Sequence, residues 1–409
     1  MQENKPLNIT LTIIRVLVGA LFIFSGLIKA NDPNGLAYKM GEFYEVFARE
    51  GYLPSLMKWM NEYSLATSIA MITFEILAGV ALIIGYRFNL FSYLIFLLTV
   101  FFTFLTGYAL FSGNIKECGC FGDCIKLQAN ESFMKDLILL VLIAILLTFR
   151  KRVAQAFNNK IASAIMIISL ILSLWMQVYA LKHLPFKDCL AYRVGNNLLK
   201  EMTPGKEYVA AVFKSVLVYE KDGVKKEFTT ENFPWQDSTW KFVDNKTIEV
   251  SPAKNEPAIH DFSINSYDGA DLTQTILGYK GNVFLLFVKD VNEANTTNMA
   301  ALQNLIAACK KVNVPVVGLT ASNDIESNQF KATHKLDMEF MTIDGTVCKT
   351  AMRTSPGLML LKAGNVMGKW SYANYPSLDK LKLDLNENAA SLFPSVPETL
   401  PVAESENNQ

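Results

Sequence analysis

The chain has 409 residues, 51% of them hydrophobic and 19% charged, with 38 basic and 38 acidic side chains and six cysteines. Charge below the ~25% usual for soluble domains, with a mean hydropathy of +0.22, argues against an ordinary soluble protein and against a disordered one. Zero net charge removes nucleic acid as the default partner, because phosphate binding needs a basic surplus.

Residues 1–181 hold 14 Lys or Arg and 11 Asp or Glu, whereas 182–409 hold 24 and 27, so a lipid-embedded half is expected to precede an aqueous one. Five apolar runs, 9–30, 64–85, 89–112, 132–149 and 161–181, read as crossings of a bilayer, the fourth being the shortest. Arg15 interrupts the first run and no small-residue cleavage site follows it, so it reads as a retained helix. Arg87 marks the second turn, and Arg150, Lys151, Arg152 and Lys160 crowd the fourth. By the excess of basic residues in inward loops, those turns and the N-terminus are cytoplasmic. The segments 31–63 and 113–131 and everything after 181 then face outward. All six cysteines, Cys118, Cys120, Cys124, Cys189, Cys309 and Cys348, fall on that side, where an oxidising compartment permits disulfide chemistry. The layout suits a bacterial inner membrane with a periplasmic C-terminal domain.

In segment 31–63, apolar Phe43, Tyr44, Phe47, Trp59 and Met60 alternate with Lys39, Glu42, Glu45, Arg49 and Lys58. This predicts short amphipathic helices at headgroup level, serving as a packed cap or as a substrate-docking lip.

The strongest local signal is Glu117-Cys118-Gly119-Cys120-Phe121-Gly122-Asp123-Cys124. Its glycines let three thiols approach one another without moving a helix. A Cys-x-Cys bridge closes a small strained ring, exchange with Cys124 would relieve it, and the odd thiol count leaves one nucleophile. Two other readings fit the same residues: a plain disulfide stapling the loop, and a soft-metal site of three thiolates. Against the latter, the loop has no His and no zinc-type pairing, so no metal is predicted.

Arg15, Gly19, Phe22, Ser25, Gly26 and Lys29 in the first run, Glu75 and Gly79 in the second, and the Cys-Gly-Cys-Phe-Gly loop together resemble the DoxX/MauE family of redox-associated membrane proteins over residues 9–150. The resemblance implies a four-helix bundle linked to periplasmic disulfide formation or quinone-coupled oxidation, with quinone as the candidate cofactor. Cys124 is an addition to the family pattern. An acid inside a crossing is costly and functional by default. Glu75 is therefore either paired with Arg15 or Lys29 or acts as a proton carrier for the thiols.

Beyond a fifth anchoring helix within 151–183, residues 184–257 read as a small β-rich connector. Its clearest sign is the hairpin signal Val216–Phe228 around Asp222-Gly223. Cys189 lies there, close to the membrane and in reach of the loop thiols. Residues 258–384 alternate strands and helices and resemble a thioredoxin-like domain. Ile259-His260-Asp261-Phe262 resembles its opening strand, Tyr279–Phe287 its central strand, and Thr354-Ser355-Pro356-Gly357 its cis-proline loop. Asn292 and Asn295 stand where that family carries Cys-x-x-Cys, so the domain reads as a docking module whose groove beside Pro356 can hold an extended peptide. Cys309 is expected buried and Cys348 more exposed; both read as inert thiols, with a displaced redox pair as the alternative. The tail, 385–409, is expected to be disordered.

The expected fold is thus a membrane α-helical bundle followed by an extracytoplasmic α/β thioredoxin-like domain. The expected function is an inner-membrane thiol–disulfide redox protein acting on periplasmic clients or a partner oxidoreductase. The rival is a non-catalytic scaffold of an envelope complex with a structural disulfide loop.

Overall fold

A computed structural model describes residues 5–385 except 113, 114, 116–118, 120, 126 and 252, together with Leu392. The N-terminal half folds into α1 (Lys5–Asn31), α2 (Pro33–Arg49), α3 (Pro54–Glu62), α4 (Ser64–Ile84), α5 (Phe88–Ser112), α6 (Ala129–Thr148) and α7 (Asn159–His183). Among the described residues, four of these, α1, α4, α5 and α7, are long and apolar enough to cross a membrane. The fifth expected crossing, α6, does not reach that measure by itself. Glu131, Lys135 and Asp136 occupy its first eight residues, and the uncharged remainder, 12 residues at ~1.5 Å each, spans only ~18 Å. Even so, α6 belongs to the bundle: Leu139, Ile143 and Leu146 are buried with Leu11, Val18, Leu82 and Ile95.

Helix α1 packs along α4 and α5 along α6, with sparser contact between the two pairs. The α1–α4 approach is backbone to backbone, since a Cβ on Gly19 would lie 2.7 Å from the Gly79 carbonyl oxygen and one on Gly79 2.6 Å from that of Gly19. Small residues permit such closeness where lipid offers no hydrophobic drive for helix association.

Segment 31–63 forms the two amphipathic helices its pattern predicts. Asp32 caps α2 by accepting the Gly35 N–H at 3.0 Å, with Pro33 at the first helical position. Helix α2 buries Leu36, Phe43 and Tyr44 and packs on α4, as a cap would, whereas α3 buries none of its residues.

After α7, the short α8 (Leu198–Met202) precedes a three-stranded antiparallel sheet, β1 (Val212–Lys221), β2 (Val224–Thr229) and β3 (Lys241–Ser251), ordered β2-β1-β3. Asp222 and Gly223 both have positive φ, 53° and 77°, as the tight turn between β1 and β2 requires.

The second sheet is built from β4 (Asn282–Val288), β5 (Val316–Thr320), β6 (Glu339–Thr342), β7 (Gly357–Lys362) and β8 (Asn365–Ser371) in the order β6-β5-β4-β7-β8. Its strands β4, β5 and β6 are mutually parallel, and β7 and β8 are antiparallel additions. Every residue of β4 is buried, because both faces are covered. Val283, Leu285 and Phe287 face α9 (Thr273–Leu277) and α12 (Gly345–Ala351), while Phe284, Leu286 and Val288 face α10 (Met299–Lys311) and α11 (Asp324–Thr333). Tyr192 and Leu198 join the first of these clusters, so the chain enters the core of this domain three residues after Cys189. Leu392 packs there as well; the rest of the 386–409 tail lies outside the described residues.

Candidate functional site

In the bundle, the seam between the helix pairs holds an apolar cavity of about 280 Å³ walled by side chains such as Phe22, Met40, Phe43, Phe102 and Leu139. Its polar lining comes from five helices, with Lys39 the contribution of α2. Lys29 on α1 donates to both carboxylate oxygens of Glu75 on α4, at 3.0 and 2.8 Å, with both side chains buried. Across the seam, Thr106 on α5 donates to Asp136 on α6 at 3.1 Å, and Lys135 pairs with the other oxygen of Asp136 at 2.6 Å. Lys29 is therefore the partner of Glu75, and Arg15 is not. Arg15 lies 14 residues, about four turns, before Lys29 on α1 and donates from Nη1 to the Ala154 carbonyl in the basic turn at the opposite end of the bundle, at 2.9 Å.

Gly119, the residue between Cys118 and Cys120, is also in the wall of this cavity. Cys118 and Cys120 themselves lie outside the described residues. Cys124 is bridged to Cys189 across 65 residues. This revises the expected exchange within the loop: its third thiol is engaged with the segment that leaves α7, so it has no thiolate to offer to a metal or to its loop neighbours. Among the described residues, no group of three or more His, Cys, Asp or Glu converges as a metal site.

The bridge sits under the sheet domain, and the contacts across that junction are polar. Arg353 donates from Nε to Asp32 at 2.7 Å and from Nη2 to Asp123 at 2.5 Å, and its side chain is only 7% exposed. Asn34 donates to the Arg353 carbonyl at 2.9 Å. Lys369 on β8 pairs with Asp188, and Asn31 exchanges two hydrogen bonds with the backbone of Lys187. Burial works against the Arg353 charge, but Asp32 and Asp123 outweigh it and hold its pKa above the usual value. Burial raises the Asp32 pKa while Arg353 opposes the rise; with two carboxylates around one guanidinium, the charged form of Arg353 is the state the geometry favours. Burial lowers the Lys369 pKa, with Asp188 pulling the other way.

The Ser355–Pro356 bond is cis, as the sequence pattern anticipates. Pro356 is buried, the Asn295 N–H donates to the Ser355 carbonyl at 3.0 Å, and Arg353, just ahead of the loop, is held by Asn34 and the acids of the bundle. Asn292 and Asn295 do lie ahead of α10; the Asn295 side-chain oxygen accepts from the N–H and hydroxyl of Thr297, and Asn292 is exposed.

The exposed placement expected for Cys348 is also corrected: it is buried on α12, and Cys309 is buried on α10. Burial pushes both thiols up to about 12. The two lie in clusters on opposite faces of the sheet, which excludes a displaced redox pair. Arg353, Asp32, Asp123, Lys369 and Asp188 were not singled out by sequence reasoning. One signal for two of them was present, since Asp123 and Asp188 each immediately precede a bridged cysteine.

These features define a membrane-helix bundle with an internal apolar cavity, joined by a disulfide and buried ion pairs to an α/β sheet domain. Residues 7–149, about a third of the chain, match the family described as methylamine utilisation protein MauE. Residues 213–251, covering most of the three-stranded sheet, match a domain of unknown function, DUF8463. No match is found among curated proteins.

Proposed function

We propose that the protein is an inner-membrane thiol–disulfide redox protein in which the Cys118/Cys120 pair and the Cys124–Cys189 bridge form a relay at the outer end of the bundle. The observation that carries this reading is Gly119: the residue between the two loop thiols lines the same cavity as Lys29 and Glu75. A client dithiol would open Cys124–Cys189 by exchange, and the resulting thiols would reduce a Cys118–Cys120 bridge, each step moving two electrons and two protons. A lipid-soluble quinone suits the cavity as final acceptor, because its walls are apolar and aromatic with a few convergent polar groups. When bound it takes up two electrons and two protons. Lys29 and Asp136 are placed to hold its polar end, and Glu75 to handle a proton.

The sheet domain reads as thioredoxin-like on its strand order and on the cis bond at Pro356, with the thiol positions filled by Asn292 and Asn295. The basic turns at the far end of the bundle favour a cytoplasmic N-terminus and a periplasmic sheet domain. The purified protein in nanodiscs should transfer electrons from a dithiol to a short-chain quinone, followed by absorbance, and C118S/C120S should abolish the transfer. Equal rates in that variant would overturn the relay.

A second reading, a scaffold with a permanent staple, is favoured by one observation: the bridge joins two structural units instead of closing its own loop. Alkylation with and without reductant separates the two, since a staple stays paired throughout turnover.

A further inference from the structure

Each bridged cysteine is preceded by an aspartate, and both aspartates are ion-paired to the sheet domain, Asp123 to Arg353 and Asp188 to Lys369. Asp123-Cys124 comes from the loop between α5 and α6, and Asp188-Cys189 from the segment leaving α7. One covalent bond and two buried ion pairs therefore close the same junction. Three residues past Cys189 the chain is already in the core of the sheet domain at Tyr192, so the bridge ties the bundle to the first packed residues of that domain.

We propose that docking of the sheet domain onto the bundle and oxidation of the Cys124–Cys189 pair are one coupled equilibrium. The docked domain fixes Asp123 and Asp188, and with them their neighbouring cysteines, raising the effective concentration of one thiol at the other. By reciprocity the closed bridge holds the domain down by the same factor. Opening the bridge breaks one S–S bond and forms two S–H bonds, with two electrons and two protons supplied by a thiol reductant that leaves as its own disulfide. The sheet domain is then covalently tethered to α7 through residues 184–189 alone, and its hold rests on the ion pairs and the Asn34 and Asn31 hydrogen bonds. The junction also contains a feature that eases release: the hydroxyls of Thr354 and Ser355 are buried without a hydrogen-bond partner and gain water when the loop is freed. The coupling does not depend on quinone or on turnover. A bridge that served only as a staple would show it too.

The test uses the full chain in nanodiscs with C118S/C120S, so that a single pair titrates in a glutathione redox buffer and is read by alkylation. R353Q/K369Q should make the bridge about tenfold easier to reduce, a shift of ~30 mV. In the C118S/C120S parent, reduction should speed amide hydrogen exchange across residues 349–357 by a similar factor. An unchanged glutathione midpoint in R353Q/K369Q, or equal exchange in the oxidised and reduced parent, overturns the proposal. If R353Q/K369Q does not fold, the exchange comparison on the parent decides alone.

Discussion

Lys29 and Glu75 show what one buried pair demands of its surroundings. Each is almost inaccessible and each is the other's counter-charge, so removing either leaves an uncompensated charge, at a cost of ~3–5 kcal/mol. Lys29→Met and Glu75→Leu should each lower the unfolding midpoint in detergent, and the double variant should recover much of the loss. Strictly additive losses would mean that the two side chains do not depend on each other. The free thiols make the opposite case. With pKa values raised to about 12 by burial, Cys309 and Cys348 expose roughly one thiolate in 10⁴ at pH 8. Iodoacetamide at that pH should leave both unlabelled until denaturant is added, and native labelling at the rate of a free thiol would contradict their burial. Glu75 was legible in the sequence because an acid in an apolar run is conspicuous. Arg353 was not, since an arginine in an aqueous loop looks like any solvated charge until the bundle's acids close around it. The Cys124–Cys189 pairing was half legible: the sequence put Cys189 within reach of the loop thiols, but which of them it meets depends on where α7 returns the chain after 65 residues.

At the level of elements, the helices were readable wherever the hydrophobic run was long, and the signal was weakest at α6, whose charged first turns break the run while its last three turns pack within the bundle. Strands β4, β5, β7 and β8 were visible as apolar runs, but the four-residue β6 and the helices α11 and α12 carry too short a period to register. The α1–α4 crossing is the most exacting contact between elements. Any side chain larger than hydrogen at Gly79 meets the Gly19 carbonyl and the backbone N of Ile23 at 3.0 Å or less. Gly79→Leu must therefore push the two helices apart, which separates Lys29 from Glu75 a turn away on the same interface. The expected outcome is a protein that loses thermal stability by more than Gly107→Leu, where the first obstacle is the movable ring of Phe133. Equal losses at the two positions would show that α1 and α4 can slide without penalty.

For the whole molecule, the proposed orientation rests on the distribution of charge between the two ends of the bundle. Arg150, Lys151 and Arg152 lie in the turn between α6 and α7, and Arg15 and Arg87 join them at that end, which is held together by the Ala156 N–H on the Ile84 carbonyl at 2.9 Å. An excess of basic residues in short turns favours the cytoplasmic side, which is the placement proposed for this end. The opposite end carries the sheet domain, the Asp-rich junction and the bridge, where an oxidising compartment would keep Cys124–Cys189 closed. Protease added to spheroplasts should then cut the exposed loop between β2 and β3, where Trp235 is 72% exposed, while an epitope at the N-terminus stays protected. The fragment below the cut should remain attached to the membrane fraction through α7, and the piece beyond it should be retained only while the core of the five-stranded sheet stays folded around Tyr192 and Leu198. Protection of the loop with loss of the N-terminal epitope would reverse the orientation. It would also place the bridge in a reducing compartment, where a redox relay of this form could not hold its charge of oxidised cysteines.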